Sequence, residues 1–134
     1  MSDEEFRRLA EFRVLLRRFQ SFSEHAAQAL GLTSLQYQAL LAIKAHDEGG
    51  PLTVTALAQV LITKHNSAVG LVDRIEQLGL VARHQLESDR RKVVVELTPR
   101  GRRIVDRLAT QHRVELRRVA GALGRHADQF AKAR

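Results

Sequence analysis

Read from the N-terminus, apolar positions first recur at steps of three and four. Phe12, Leu16, Phe19, Ser23, Ala26 and Leu30 form one stripe, and Phe6, Leu9 and Leu15 widen it beyond a single face. Ser2 followed by Glu5 has the form of a capping box, and the segment stays free of Gly and Pro until Gly31, a natural C-cap. The pattern predicts one long first helix with more apolar surface than one neighbour covers. Thr33 with Gln36 makes a second capping box and predicts a helix from about Ser34 to His46, with Tyr37, Leu40, Leu41 and Ala45 turned inward. The Asp-Glu-Gly-Gly-Pro run from Asp47 to Pro51 ends it.

Leu52 to Val54 is too short to assign from periodicity. Thr53 or Thr55 can cap a brief helix holding Ala56, Leu57, Val60 and Leu61, with a break at Ile62 and Thr63. Thr63 is the expected cap of the next helix, whose inward stripe is Ala68, Leu71, Val72, Ile75 and Leu78 and which Gly79 closes. Two short capped helices in tandem outline a helix-turn-helix. Leu80–Glu87 and Lys92–Leu97 then read as two strands joined by Ser88–Arg91, a hairpin wing. Thr98 caps, with Pro99 at the first helical position, a long helix carrying Ile104, Val105, Leu108, Leu116 and Val119. Gly121 and Gly124 are expected to interrupt it, leaving Arg125–Arg134 as a last short helix. The predicted fold is mainly α with a small two-stranded β wing.

Composition narrows the role. The 134 residues suit one domain and leave no room for a second, catalytic one. Apolar residues make up 44% but aromatics only 4%, so the core must be Leu, Val, Ile and Ala. Lys and Arg outnumber Asp and Glu by 22 to 15, which makes a polyanion the expected partner. Cysteine is absent, excluding disulfides and thiolate chemistry. No apolar run approaches the length of a membrane span, and the acidic N-terminus lacks a secretory pattern; a cytoplasmic protein is expected. No nucleophile elbow, phosphate loop or paired carboxylates suggest an enzyme, and no cofactor is expected.

The order of elements resembles the MarR family of bacterial transcriptional regulators over nearly the whole chain. LAQVLITKHNSAVGLVDRIEQLGLVAR, Leu57 to Arg83, is similar to the family's helix-turn-helix with its first wing strand. DRRKVVVELTPRG, Asp89 to Gly101, is similar to its wing signature of Asp-x-Arg, a strand, and Leu-Thr-x-x-Gly. Two positions depart: Ile62 stands where a turn glycine is usual, and Gly70 where a polar or basic residue is common. The resemblance implies residues 1–31 and 99–134 as dimerisation helices around a winged helix-turn-helix lobe at 33–98, in one domain.

In a helix-turn-helix the second helix enters the major groove, which points to Lys64, His65, Asn66 and Ser67 for base edges, with Gly70 and Arg74 further along the same face. By resemblance, Arg91 reaches the minor groove, Asp89 holds that arginine by an ion pair, and Arg90 and Lys92 meet phosphates. Thr33, Ser34 and Thr53 are expected to cap helices. The surplus apolar surface of the terminal helices implies a homodimer, two recognition helices about 34 Å apart, and a palindromic duplex operator. Repression, and release by a small aromatic effector in a pocket lined by Phe19, Phe22, Tyr37 and Leu40, are implied by the family. The six histidines lack tight ligand spacing; His25, His46 and His112 with Glu24 or Glu115 are the only metal reading, and no metal is expected. The rival readings are a non-specific architectural DNA-binding protein, which would favour lysine-rich arms, and a winged helix used for protein contact.

Overall fold

The computed structural model describes residues 1–46 and 49–132. Eight elements follow in order: α1 (Asp3–Gln28), α2 (Ser34–His46), β1 (Leu52–Thr53), α3 (Val54–Val60), α4 (His65–Gln77), β2 (Val81–Leu86), β3 (Asp89–Leu97) and α5 (Pro99–Lys132). The starts of most helices are set by side chains as expected. Ser2 and Glu5 exchange bonds of 2.6 and 3.2 Å, Thr33 and Gln36 bonds of 3.0 and 3.1 Å, and Thr53 Oγ1 accepts from Ala56 N at 3.1 Å.

Two expected caps are absent. Lys64, not Thr63, is the N-cap of α4, and it makes no side-chain bond because its ammonium can only donate where a helix start needs an acceptor. Ser34 is the first residue inside α2 and spends its hydroxyl on Ser23.

The wing is a three-stranded antiparallel sheet of order β1-β3-β2 rather than a two-stranded hairpin. Leu52 and Thr53 pair with Val95 and Val94, a partnership that a two-residue strand cannot announce by periodicity. Between β2 and β3 the register holds from Val81↔Leu97 to Gln85↔Val93 and then shifts to Leu86↔Asp89. Arg90, Arg91 and Lys92 therefore form a bulge on β3 without partners on β2. The strand begins at Asp89, three residues earlier than expected, and the connecting loop shrinks accordingly.

The core gathers Ala27 and Leu32, Tyr37, Leu40 and Ile43 of α2, Leu57 of α3, Val72 and Ile75 of α4, and Val105 and Leu108 of α5. Ile43 takes the inward place expected of Leu41 and Ala45, which are exposed; Leu78 and Leu116 are exposed as well. On α1, Ser23 and Ala27 are buried while Phe6, Leu9 and Leu16 stay exposed.

α5 runs unbroken through Gly121 and Gly124, contrary to expectation. Each glycine costs about 1 kcal/mol against alanine, which neighbouring Ala, Leu and Arg residues and packing against α1 outweigh. Ala122 and His126 share a hollow with Ala10 and Leu15 of α1, and His126 Nε2 lies 3.9 Å from Glu11 Oε2. Of the expected final segment, Ala133 and Arg134 lie outside the described residues, as do Asp47 and Glu48 of the run after α2.

The turn inside the helix-turn-helix contains the backbone's only positive φ at a non-glycine among the described residues, 53° at Ile62. Gly31 and Gly79 do the same work after α1 and α4, with φ of 77° and 75°, and in all three turns the next N–H reaches back to a carbonyl of the preceding helix at 3.0 Å. A β-branched residue in this region costs about 1–2 kcal/mol, and Ile62 is 93% exposed, so it regains little by packing. Ile62→Gly is expected to raise stability by about 1 kcal/mol after the extra entropy of an unfolded glycine is counted. A thermal melt should rise by about 3 °C; a fall would mean that the isoleucine makes a contact worth more than the strain.

Candidate nucleic-acid interface

Helix α4 presents two unlike sides. Ala68, Leu71, Val72 and Ile75 are buried, while Asn66, Gly70 and Arg74 lie on the opposite side at helical spacing. Lys64, His65, Asn66, Ser67 and Arg74 are exposed. A Cβ at Gly70 would meet nothing within 4 Å, so the glycine leaves a gap in this face and not a tight contact. Among the described residues, Lys64, Asn66, Ser67 and Arg74 have no side-chain partner, and their polar atoms remain available.

The bulge divides the wing cations. Arg91 and Lys92 face a hollow of about 460 Å³ between the wing and helices α3 and α4, which His65, Thr55, Gln59 and Arg83 also line. Arg90 lies in a separate hollow with Gln85, Leu86 and Glu87. Asp89 Oδ1 accepts from Arg91 N at 3.1 Å and from Arg91 Nε at 3.2 Å. Those bonds hold the Asp89 carboxyl below its ordinary range and anchor an arginine whose side chain is otherwise 92% exposed.

Arg83, the last residue of the first quoted motif, is a member of this site that the sequence did not single out. Its guanidinium lies 2.6 Å from Asp73 Oδ1 and 3.0 Å from Glu76 Oε1, and its backbone N–H donates to Glu76 Oε2 at 2.9 Å. The backbone bond, then the side-chain bond, pulls the Glu76 carboxyl below its usual value. Arg83 thus ties β2 to α4 and neutralises two carboxylates on the helix whose free face is polar and basic. No periodicity marks such a contact, because it joins two elements across a glycine turn.

The other expected residues lie apart from this face. His112 is 5% exposed and stacks on Tyr37 with ring centroids 4.3 Å apart, and Phe19 and Phe22 meet it edge-on at 6.0 and 5.3 Å. Its Nδ1 bonds Leu108 O at 2.7 Å and its Nε2 bonds Ser23 Oγ at 2.9 Å; Ser23 in turn bonds Ser34 Oγ at 2.9 Å. Burial pushes the Tyr37 phenol up. Leu40, also expected in the effector pocket, is fully buried. A hollow of about 340 Å³ between α2 and α5 is lined instead by Tyr37, Leu41, His112, Leu116, Arg113 and Arg117. His25 Nδ1 is bonded to Ser21 O at 2.7 Å, and no three potential metal ligands gather among the described residues. No helix of the described residues is long and apolar enough to cross a membrane.

Comparison with known proteins places this geometry. A family model described as the MarR family matches residues 30–92. The chain is 41% identical over 86 residues to the uncharacterized HTH-type transcriptional regulator YcgE of Bacillus subtilis, an alignment covering 63% of this chain and 53% of YcgE. The chain thus spans about half the length of the curated relatives it matches. Among solved structures, AbsC, a MarR family transcriptional regulator from Streptomyces coelicolor, superposes with a TM-score of 0.77 at 26% identity, over 88% of this chain and 79% of AbsC. The Staphylococcus aureus MepR–DNA complex shares the fold, with a TM-score of 0.77 at 20% identity over 92% of this chain and 89% of MepR. The matched segment covers the helix-turn-helix and the start of the wing, the superposed fold extends the likeness through the long helices, and what the chain is similar to is the MarR family of winged helix-turn-helix proteins.

Proposed function

We propose that this protein is a sequence-specific regulator of transcription that binds duplex DNA as a homodimer. One observation carries the reading: the Asp89-anchored Arg91 and its neighbour Lys92 share an open hollow with His65, at the start of the helix whose outward face, Asn66, Gly70 and Arg74, is uncommitted. Lys64, His65, Asn66 and Ser67 would read base edges, Arg74, Arg90 and Lys92 would hold phosphates, and Arg91 would enter the minor groove. The exposed Phe6, Leu9 and Leu16 of α1 and Leu116 of α5 support a two-fold partner. Two copies would then meet successive turns of a palindromic operator.

Repression follows in this reading from occupying the promoter. An effector would act by differential affinity, favouring a lobe spacing that does not fit the operator. The hollow beside Tyr37 and His112, flanked by Arg113 and Arg117, suits a small aromatic acid better than the expected residues do.

Arg91→Ala is the direct test. Affinity for fragments selected from genomic DNA should fall about ten- to a hundred-fold, or about 1–3 kcal/mol, with the melting temperature unchanged. Asn66→Ala should relax preference at one base position. Unchanged affinity in Arg91→Ala would remove the wing from recognition, and equal affinity of the wild type for selected and random duplexes would favour the architectural reading.

A further inference from the structure

The surplus positive charge does not lie on the lobe proposed to meet the operator. Residues 33–98 hold seven Lys and Arg against seven Asp and Glu, and residues 1–31 hold five of each. Residues 99–134 hold ten against three, so the entire net charge of +7 falls on α5 and the two residues after it.

Within α5 the charge is ordered. Arg100, Arg103, Arg107, Arg118 and Arg125 are all exposed, and at 3.6 residues per turn they fall within about 60° of one another. The buried Val105, Leu108, His112 and Val119 lie about 140° round the helix from them. Arg118 is 2.9 Å from Glu115, and the other four have no acidic partner among the described residues. This row is separate from the side of α5 that packs on α1 through Ala122 and His126, and from the apolar hollow around Leu116 and Ala120.

We propose that this ridge is a second nucleic-acid surface that binds the phosphate backbone of duplex DNA, without reading sequence, outside the stretch covered by α4 and the wing. The inference rests on the DNA-binding reading above and extends it. From Arg100 to Arg125 the ridge spans about 38 Å, close to one turn of duplex. Its cations suit a polymer with one negative charge per about 1.7 Å of axis. Apart from Val114 the row offers no large apolar side chain to anchor a protein partner. Strand β3 separates the wing tip from the start of α5 by about 20 Å, so the ridge begins where the wing's own reach ends.

The test uses the full chain and Arg103→Gln/Arg107→Gln/Arg125→Gln, three exposed positions whose loss should leave the melting temperature unchanged. Both proteins are titrated over a range of KCl with a genomically selected duplex trimmed to its protected footprint, and with the same duplex extended by random sequence at each end. The wild type should bind the extended duplex more tightly and with a steeper salt dependence. The triple variant should lose that gain, its log–log salt slope on the extended duplex falling by about 2–3 for each protomer of the dimer, while the trimmed duplex is bound as before. The corresponding triple lysine variant should restore the slope.

Wild-type and glutamine proteins that behave alike on the extended duplex would overturn the ridge and leave the operator reading standing. So would a glutamine variant that loses only the capture of poly-glutamate, which would point to an acidic protein. A wild type that binds neither duplex would overturn both readings.

Discussion

Gly101→Ala should destabilise the protein by about 3 kcal/mol, seen as a fall in melting temperature of about 10 °C at fixed protein concentration. A Cβ at this position would overlap the Leu80 carbonyl oxygen and lie 3.0 Å from its carbon, and both are backbone atoms that no rotamer change can move. The approach is close because Thr98 makes two bonds that clamp it to the turn before β2, and a third caps the start of α5. Thr98 N donates to Leu80 O at 3.0 Å, Thr98 Oγ1 to Gly79 O at 2.7 Å, and Gly101 N to Thr98 Oγ1 at 3.1 Å. Alanine's better helix propensity offsets only about 1 kcal/mol. Gly124→Ala, whose Cβ would enter open space, should show that gain alone. A Gly101→Ala protein that melts at or above the wild-type temperature would mean that α5 can shift off Leu80 without loss, and the clamp would then have no role in holding the wing to the long helix.

His112→Ala should cost about 3 kcal/mol, because it opens a cavity and breaks a buried polar chain together. The Leu108 carbonyl can only accept, so Nδ1 carries the proton, and Nε2 of the neutral ring accepts from the Ser23 hydroxyl. Ser34 can then donate to Ser23 while its own oxygen accepts from Gln38 Nε2 at 3.2 Å. This chain joins α5 to α1 and α2, the elements that connect the terminal helices to the DNA-facing lobe. His112→Phe separates the two contributions: it keeps a ring against Tyr37 but gives Ser23 no acceptor, and should cost about 1–2 kcal/mol. Equal losses in the two variants would assign the whole effect to the polar chain; no loss in either would show that the ring is dispensable to the core.

These two residues also show where reading the chain reaches its limit. The Leu-Thr-x-x-Gly pattern was visible as a family signature, but its glycine has a physical cause only once Leu80 is seen lying across it. His112 was visible among apolar positions at helical spacing, but nothing in that spacing names Ser23, 89 residues away in sequence, as its partner. Arg83, the Arg90–Lys92 bulge and the two-residue strand at Leu52 were missed for the same reason. Each is defined by a partner on another element.

What the sequence determined by itself is local: the helix starts at Ser2, Thr33, Thr53 and Thr98, the turns at Gly31 and Gly79, the polar face of α4 and the basic excess of the last helix. These follow from bonds and spacings within a few residues, which any stretch of chain carries with it. The tertiary structure alone decided the sheet register, the continuity of α5 through two glycines, and the split of Arg90 from Arg91. These three, and the exposure of Leu41 and Ala45 in place of Ile43, depend on which surfaces meet, and burial across distant segments outweighs local preferences of about 1 kcal/mol.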